Sequence, residues 1–297
     1  MAAAPAPLPM AGVYTALVTP FNADESVAWG EYEALLALQL EAGVDGVVIC
    51  GTTAESPTLT SDEKKELISR AIKLCAGKCQ VIAGTGSNNT AATVEFTRWA
   101  KGAGADACLV VNPYYNKPQQ AGLVRHVKAV AAVGLPIMLY NIPGRSACLM
   151  ETPTVLELAK LPEVVAIKDA TGGLDIASAV ASVGALPVLS GDDPLTLPMM
   201  AVGGAGVVSV ASNIVPKRVV AMVRAAQAGD FAAARAEHFA LLPLLKGLFA
   251  ETNPVPAKYA LQRMGLISSA CVRAPLAELG EASKPVVEAA CTAVGLF

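Results

Sequence analysis

The chain has few histidines and few charged residues, and it lacks the residue patterns typical of nucleic-acid and membrane binding. It contains only two histidines, His126 and His238, and its charged residues make up 16% of the sequence, with a formal net charge of -3. There is no stripe of basic residues, and no apolar run approaches the roughly 20 residues that a membrane helix needs. These absences argue against a metal site, a nucleic-acid partner and a membrane span, and we expect no cofactor.

Cysteines are present but scattered. There are seven, and only Cys75 and Cys79 lie close together, with three residues between them and no histidine nearby. We therefore expect reduced thiols here and no metal bound to them.

The first ten residues, 1–10, also lack the pattern of an export signal. They have neither the basic segment nor the continuous apolar segment of an export signal, and their prolines oppose a helix. We expect a flexible tail and a cytoplasmic protein.

Hydrophobic residues are abundant, at 54% of the chain, and they follow a repeating order. Short runs rich in branched side chains alternate with stretches of helical period, in which Ser61 resembles a helix cap and Gly43, Gly104 and Gly134 resemble helix ends. Eight such runs are found, at 13–19, 46–51, 80–84, 107–111, 136–140, 164–168, 187–191 and 206–210.

Eight apolar strands that alternate with helices predict a parallel sheet closed into a (β/α)₈ barrel, which we place at 11–228. A doubly wound open sheet is the alternative. Residues 229–297 continue with helical patterns and are predicted to form a helical appendage packed on the barrel. The surplus of alanine, leucine and valine also fits helices that a partner subunit buries further.

Lys168 is the most informative single residue. It closes the apolar run that begins at Val164, where a barrel strand meets its loop, and barrels place their functional groups at these carboxyl ends. A buried amine is costly to charge, so it favours a nucleophile able to form a Schiff base with a ketone. A lysine that only extends its ammonium into water is the ordinary alternative.

Other polar groups follow the remaining strands. Taken singly, each has an ordinary explanation: Thr52 and Thr53 as a helix cap, Tyr140 as a core hydroxyl, Arg145 as a solvated charge. Together they form an ordered set of motifs, which are Gly-Thr-Thr-Ala-Glu-Ser at 51–56, Pro-Tyr-Tyr-Asn-Lys-Pro at 113–118, Tyr-Asn-Ile-Pro-Gly-Arg at 140–145, Ile-Lys-Asp-Ala-Thr-Gly at 167–172 and Ser-Gly-Asp-Asp at 190–193.

This set resembles the dihydrodipicolinate synthase family, within the superfamily of pyruvate-dependent class I aldolases and N-acetylneuraminate lyase, over nearly the whole chain. Ala54 replaces a common glycine, and Asp169 stands where glutamate often follows the lysine; alternation along the strand points Asp169 away from Lys168. The resemblance implies a lyase that condenses pyruvate with L-aspartate 4-semialdehyde to 4-hydroxy-tetrahydrodipicolinate in lysine and diaminopimelate biosynthesis.

The resemblance also implies roles for individual residues. Lys168 forms the imine with pyruvate, and Tyr140 relays protons together with Thr52 and with Tyr115 of a neighbouring subunit. Substrate binding falls to four further residues: Thr53 for the pyruvate carboxylate, Arg145 for the carboxylate of the aldehyde, and the backbone carbonyls of Gly191 and Val208. The protein would then be a homo-oligomer, at least a dimer and by resemblance a tetramer of two dimers.

The residues alone leave two other functions open. N-acetylneuraminate lyases and 2-keto-3-deoxy-sugar aldolases would share Lys168 and Tyr140, but a sugar substrate gives less reason for the cation of Arg145. A barrel that has lost catalysis and only binds a partner would have little reason to keep all these groups.

Regulation is expected to differ from that of relatives inhibited by lysine. Their lysine pocket corresponds to Ser56, Ser61, Lys64, Asn88, Ala92 and Tyr114. Ala92 stands where sensitive relatives carry a glutamate, and Ser61 and Lys64 replace histidines. Without that carboxylate the ammonium of a bound lysine lacks a partner, so we expect weak inhibition or none.

Overall fold

The computed structural model describes residues 8–297, which form a closed barrel of eight parallel strands. Every neighbouring pair runs in chain order, and β1 pairs with β8. The strands are β1 (Gly12–Ala16), β2 (Gly46–Ile49), β3 (Gln80–Gly84), β4 (Ala107–Val111), β5 (Ile137–Asn141), β6 (Val164–Asp169), β7 (Val188–Ser190) and β8 (Gly206–Ser209). The predicted barrel is confirmed, and the doubly wound alternative is wrong.

Helices surround the barrel and continue after it. They are α1 (Trp29–Ala42), α2 (Ser61–Cys75), α3 (Thr90–Ala103), α4 (Gln120–Ala131), α5 (Pro143–Ser146), α6 (Thr152–Leu158), α7 (Asp175–Ser182), α8 (Thr196–Ala201), α9 (Pro216–Gln227), α10 (Phe231–Gly247), α11 (Val255–Arg263) and α12 (Lys284–Ala293). One-turn 3₁₀ helices lie at Thr52–Ala54, Ser56–Thr58, Asp193–Leu195 and Ala211–Asn213. No helix within residues 8–297 is long and apolar enough to cross a membrane.

Helix ends follow the sequence signals with two shifts, since α4 ends at Ala131, three residues before Gly134, and α2 begins at a different cap. Gly43 and Gly104 end α1 and α3 in the left-handed conformation, as predicted. The cap of α2 is Thr60 and not Ser61: the Thr60 hydroxyl accepts a hydrogen bond from the Glu63 backbone, and the Glu63 carboxylate accepts one from the Thr60 backbone. This reciprocal pair satisfies two backbone donors at the start of the helix.

The core has two layers, because side chains along each strand alternate between the barrel interior and the helices. The interior layer includes Tyr14, Val48, Met138, Leu189 and Val208. A larger apolar layer lies between strands and helices and extends into the appendage through Leu241, Leu261 and Val287. The barrel closes tightly: a Cβ at Gly206 would lie 2.0 Å from the Gly12 carbonyl oxygen.

The described end of the predicted tail contacts the barrel. Met10 is buried in the interior layer, and the Pro9 carbonyl accepts a hydrogen bond from the Gln80 amide at 3.0 Å. The rest of the predicted tail, residues 1–7, lies outside the described residues.

Candidate active site

Lys168 and Tyr140 lie side by side where β6 and β5 end. The register of these strands pairs the two residues, and the Lys168 amine is 4.2 Å from the centre of the Tyr140 ring. Both side chains are buried, at 5% and 4% exposure. Among residues 8–297 no carboxylate lies within ion-pair distance of this amine. The amine is therefore left available to a substrate.

Gly191 gives the Lys168 side chain its space. A Cβ at this position would lie 3.1 Å from Cε of Lys168 and 2.6 Å from the Ala170 side chain. The Gly191 N–H donates to the Asp169 carbonyl at 2.7 Å, which fixes the loop after β7 against β6. Val208, in β8, is fully buried in the interior layer.

Three acidic side chains lie around this part of the rim. Burial raises the pKa of Asp169, Asp192 and Asp193, and the charge of Lys168 opposes the rise at Asp192 and Asp193. Both carboxylate oxygens of Asp193 accept hydrogen bonds, one from the Ser209 hydroxyl and the other from the backbone N–H groups of Val210 and Ala211. It holds the loop after β8 in place.

The loop after β2 brings Thr52 and Thr53 to the site. These residues form a 3₁₀ turn that ends at Glu55 in the left-handed conformation. The Thr53 hydroxyl is buried and accepts a hydrogen bond from the Asn253 side-chain amide at 2.9 Å. Within residues 8–297 the Thr53 hydroxyl donates no hydrogen bond of its own, so its proton can be donated to a ligand.

A buried ion pair fixes that loop to the appendage. The Lys258 amine and the Glu55 carboxylate are 2.7 Å apart, and both side chains are almost completely buried. The second oxygen of Glu55 accepts from the Arg273 backbone at 2.9 Å, and the Lys258 amine lies 4.1 Å from the Phe21 ring centre. Burial lowers the pKa of Lys258, and the attraction of Glu55 opposes this.

Arg145 stands opposite the loop with most of its guanidinium free. It lies on α5, and one N–H group donates to the Asn253 carbonyl at 3.0 Å. Asn253 thus connects Thr53 and Arg145, one through its side chain and one through its backbone. No ion pair of Arg145 exists in the described part of the chain, so its remaining donors can receive an anion.

A cavity of about 800 Å³ opens beside these groups, although Lys168, Thr53, Gly191 and Val208 are not among its lining residues. Thr52, Tyr140, Arg145, Tyr114 and Tyr115 are among its lining residues, and Lys168 adjoins it through the Tyr140 ring. Tyr115 is 89% exposed and has a positive φ of 73°. In the single chain described over residues 8–297, no hydrogen bond joins the hydroxyls of Tyr140, Thr52 and Tyr115.

A second pocket, of about 370 Å³, adjoins the first. Of the predicted regulatory residues, Ser56, Ser61, Lys64 and Ala92 line it, and Ser56 and Lys64 line both cavities. Tyr114 lines only the larger cavity. Asn88 lines neither; its carbonyl accepts from Asn116 at 2.8 Å.

Two kinds of residue were not found from the sequence. The Glu95 carboxylate lines the second pocket, one helical turn after Ala92 on α3, a spacing that places both on one face. Asn253, Lys258 and Arg273 support the site from the appendage. A lysine inside the apolar stretch of α11 was the available signal for Lys258.

Within residues 8–297 no group of three or more histidine, cysteine, aspartate or glutamate side chains is placed to hold a metal ion. His126 hydrogen-bonds to the Thr90 hydroxyl at 2.9 Å, and burial lowers its pKa.

Fold and site together define a (β/α)₈ barrel with one unpaired buried amine among hydroxyl groups at the carboxyl ends of its strands. The chain belongs to the dihydrodipicolinate synthetase family, whose model matches residues 9–294. A relative from Sorangium cellulosum, named 4-hydroxy-tetrahydrodipicolinate synthase, is 49% identical over 93% of this chain and 93% of its own length.

Solved structures agree over the same extent. Dihydrodipicolinate synthase from Aquifex aeolicus is 42% identical, with a TM-score of 0.94 over 97% of this chain and 99% of that one. The enzyme from Cyanidioschyzon merolae, solved with lysine bound, is 39% identical with a TM-score of 0.93 over 97% and 99% of the two chains. The family expected from the sequence is confirmed.

Proposed function

We propose that the chain is a 4-hydroxy-tetrahydrodipicolinate synthase that condenses pyruvate with L-aspartate 4-semialdehyde. One observation carries the proposal: the buried Lys168 amine has no acidic partner and lies against Tyr140, beside a cavity that Arg145 lines with free donors. The curated relatives, which have this name, support it over nearly the full length.

Lys168 begins the reaction by attacking the keto carbon of pyruvate. Water leaves and an imine forms, which withdraws electrons from the neighbouring methyl group. The methyl group loses a proton to give an enamine, and its carbon bonds to the aldehyde carbon of the second substrate. The amino group of that substrate then attacks the imine carbon, which closes the ring and releases Lys168.

Tyr140 is placed to move the protons of these steps. Its ring touches the Lys168 amine and its side chain lines the cavity with Thr52. Tyr115 extends outward from the same rim, where 89% exposure in one chain fits a role in a neighbouring copy. We propose that two copies exchange this tyrosine and that two such dimers form a tetramer.

The two substrate carboxylates go to different groups. The Thr53 hydroxyl oxygen accepts a hydrogen bond from the Asn253 amide, so its own proton can be donated to the pyruvate carboxylate. Arg145 keeps its free edge for the aldehyde substrate, where a planar guanidinium matches a carboxylate. The carbonyls of Gly191 and Val208 complete the surroundings of the imine.

Covalent trapping with borohydride tests the first step. Pyruvate plus borohydride should modify Lys168, and Lys258, which is also buried but paired with Glu55, serves as the internal control. Peptide mass mapping that finds the label on Lys258 or Lys117 and none on Lys168 would overturn the mechanism. Turnover of pyruvate with aspartate semialdehyde, measured beside cleavage of N-acetylneuraminate, separates the proposed reaction from the sugar-lyase alternative.

Mixed oligomers test the shared tyrosine. Tyr115→Phe and Lys168→Ala chains are each expected to be nearly inactive, and mixing them should restore part of the activity because one of two sites regains both groups. Mixed oligomers that form without recovering activity would exclude sharing across the interface. Because both proposed substrates are small metabolites, we also propose a cytoplasmic location, which cell fractionation would test.

A further inference from the structure

Two thiols lie at the end of the barrel opposite Lys168 and take no part in the proposed reaction. Cys75 is the last residue of α2, and Cys79 immediately precedes the first residue of β3. Lys168, by contrast, lies near the carboxyl end of its strand. Both cysteines are free, Cys75 buried and Cys79 half-buried.

A tight turn brings the two cysteines together. Ala76 has φ -48° and ψ 119° and Gly77 has φ 70°, the values of a type II turn, whose third position favours glycine. The Cys75 carbonyl accepts from the Lys78 N–H at 2.8 Å and from the Cys79 N–H at 3.2 Å. These two hydrogen bonds fold the chain back on itself between the cysteines, and a disulfide needs such a close approach of its two Cα atoms.

The two thiols also affect each other. The Cys79 side chain and the nearby charge of Lys78 lower the pKa of the Cys75 thiol, whereas Cys75 and burial raise the pKa of Cys79. A thiol of lowered pKa is the one that resolves a mixed disulfide. Solvent reaches Cys79, whereas Cys75 is buried.

We propose that Cys75 and Cys79 form a reversible dithiol–disulfide site that small disulfide compounds oxidise. The Cys79 sulfur attacks one sulfur of the small disulfide, whose S–S bond breaks, and the Cys79 proton passes to the other half, which leaves as a thiol. The Cys75 sulfur then attacks Cys79, forms the internal bond and displaces the second small thiol. The protein loses two electrons and two protons, and the oxidant gains both.

Trypsin gives a direct test because Lys78 lies between the two cysteines. In the reduced protein, cleavage after Lys73 and Lys78 separates peptide 74–78 from the peptide that begins at Cys79. The full chain is treated with oxidised glutathione, free thiols are blocked, and the digest is analysed by mass spectrometry. We expect the two peptides to remain joined, at a mass two hydrogen atoms lower than their sum, and to separate after dithiothreitol.

Matched variants define the control. Cys79→Ser should abolish the joined peptide, whereas Cys271→Ser, at the other half-buried cysteine of the described chain, should leave its yield unchanged. Wild-type protein that ends with glutathione attached to Cys79, or with both thiols unmodified, would overturn the proposal. This result does not depend on the proposed reaction, because the site lies at the other end of the barrel.

Discussion

Lys168 and Lys258 are both buried lysines, but their amines have different surroundings. The Lys258 amine is held by Glu55 at 2.7 Å, so its charge is compensated within the protein. The Lys168 amine faces the Tyr140 ring with no acid in contact among the described residues. Burial alone therefore does not identify the nucleophile. The absence of a partner, together with a position at the end of a strand, separates the two.

Gly191→Ala should reduce activity strongly, because the added methyl group would lie 3.1 Å from Cε of Lys168 and displace the amine. We expect a loss of stability of about 1–3 kcal/mol, typical of overpacking. Gly173→Ala is the matched control, since a Cβ there meets no atom within 4 Å. Kinetics and thermal unfolding would measure both; equal kcat values for the two variants would refute the role of Gly191.

Asn253→Ala should weaken pyruvate binding. The change removes the amide that orients the Thr53 hydroxyl but keeps the backbone carbonyl that holds Arg145. One buried hydrogen bond is worth about 1–3 kcal/mol when its partner is left alone, so KM for pyruvate should rise roughly 5- to 150-fold. The KM for the aldehyde should change much less. An equal rise in both KM values would indicate general damage to the site.

At the scale of elements, the appendage holds the loop after β2. Arg273 donates to both oxygens of Glu63 and to the carbonyls of Glu25 and Thr58. Lys258 reaches Glu55 in the same loop region. The loop that carries Thr52 and Thr53 is therefore shaped by residues more than 200 positions away.

The Arg273–Glu63 pair predicts a dependence of stability on pH. Arg273 lowers the pKa of Glu63 from 4.5 to about 2. A carboxyl whose pKa is depressed on folding contributes stability above its unfolded value, and this is lost as pH falls from about 4.5 toward 2. Glu63→Gln should therefore destabilise the protein at pH 7 and lose this difference near pH 2. Denaturant unfolding across this range checks it; a constant difference would contradict the assignment.

The buried pair Glu55–Lys258 predicts a strong coupling between two substitutions. Lys258→Met alone leaves Glu55 charged and unpaired, which costs about 3–5 kcal/mol. The double variant with Glu55→Gln should recover part of this loss. Lys128→Met, which breaks the exposed pair with Glu157, is the control and should cost no more than about 1 kcal/mol. Additive losses in a double-mutant cycle would exclude the coupling.

The strands and Lys168 could be predicted because their signals are local. Apolar runs indicate buried strands, and barrel geometry places whatever follows them on one rim. Tyr140 and Lys168 were predicted in neighbouring strands for this reason. The support from Asn253, Lys258 and Arg273 could not, because contacts between residues 200 positions apart leave no periodic pattern. The cap at Thr60 was missed by one residue, since Ser61 and Thr60 are both good capping types.

At the scale of the whole molecule, the second pocket shares part of its wall with the cavity at the candidate active site. Ser56 and Lys64 line both cavities, so a ligand in the smaller one touches residues of the larger. Glu95 supplies a carboxylate there, which was not expected from Ala92. The half-buried Lys64 amine lines the same pocket, where its positive charge counteracts the attraction of Glu95 for a cation. Burial lowers the pKa of Lys64.

We predict that lysine inhibits weakly, with half-inhibition above about 1 mM, because Lys64 repels the ammonium that Glu95 would attract. Lys64→Met should strengthen inhibition by removing that repulsion, and Glu95→Gln should abolish what remains. Initial rates over a range of lysine concentrations would measure this. Half-inhibition of the unaltered protein well below 1 mM would contradict the prediction.

The dependence of the loop after β2 on Asn253, Lys258 and Arg273 has a consequence for how the protein is made. All eight strands leave the ribosome before any of these three residues has been added, so a growing chain can begin to close its barrel while its substrate loop still lacks support. Catalytic competence is then acquired late, once the segment that contains these three residues docks on the barrel. An unfinished polypeptide therefore lacks the contacts that hold Thr53 and Glu55 in place.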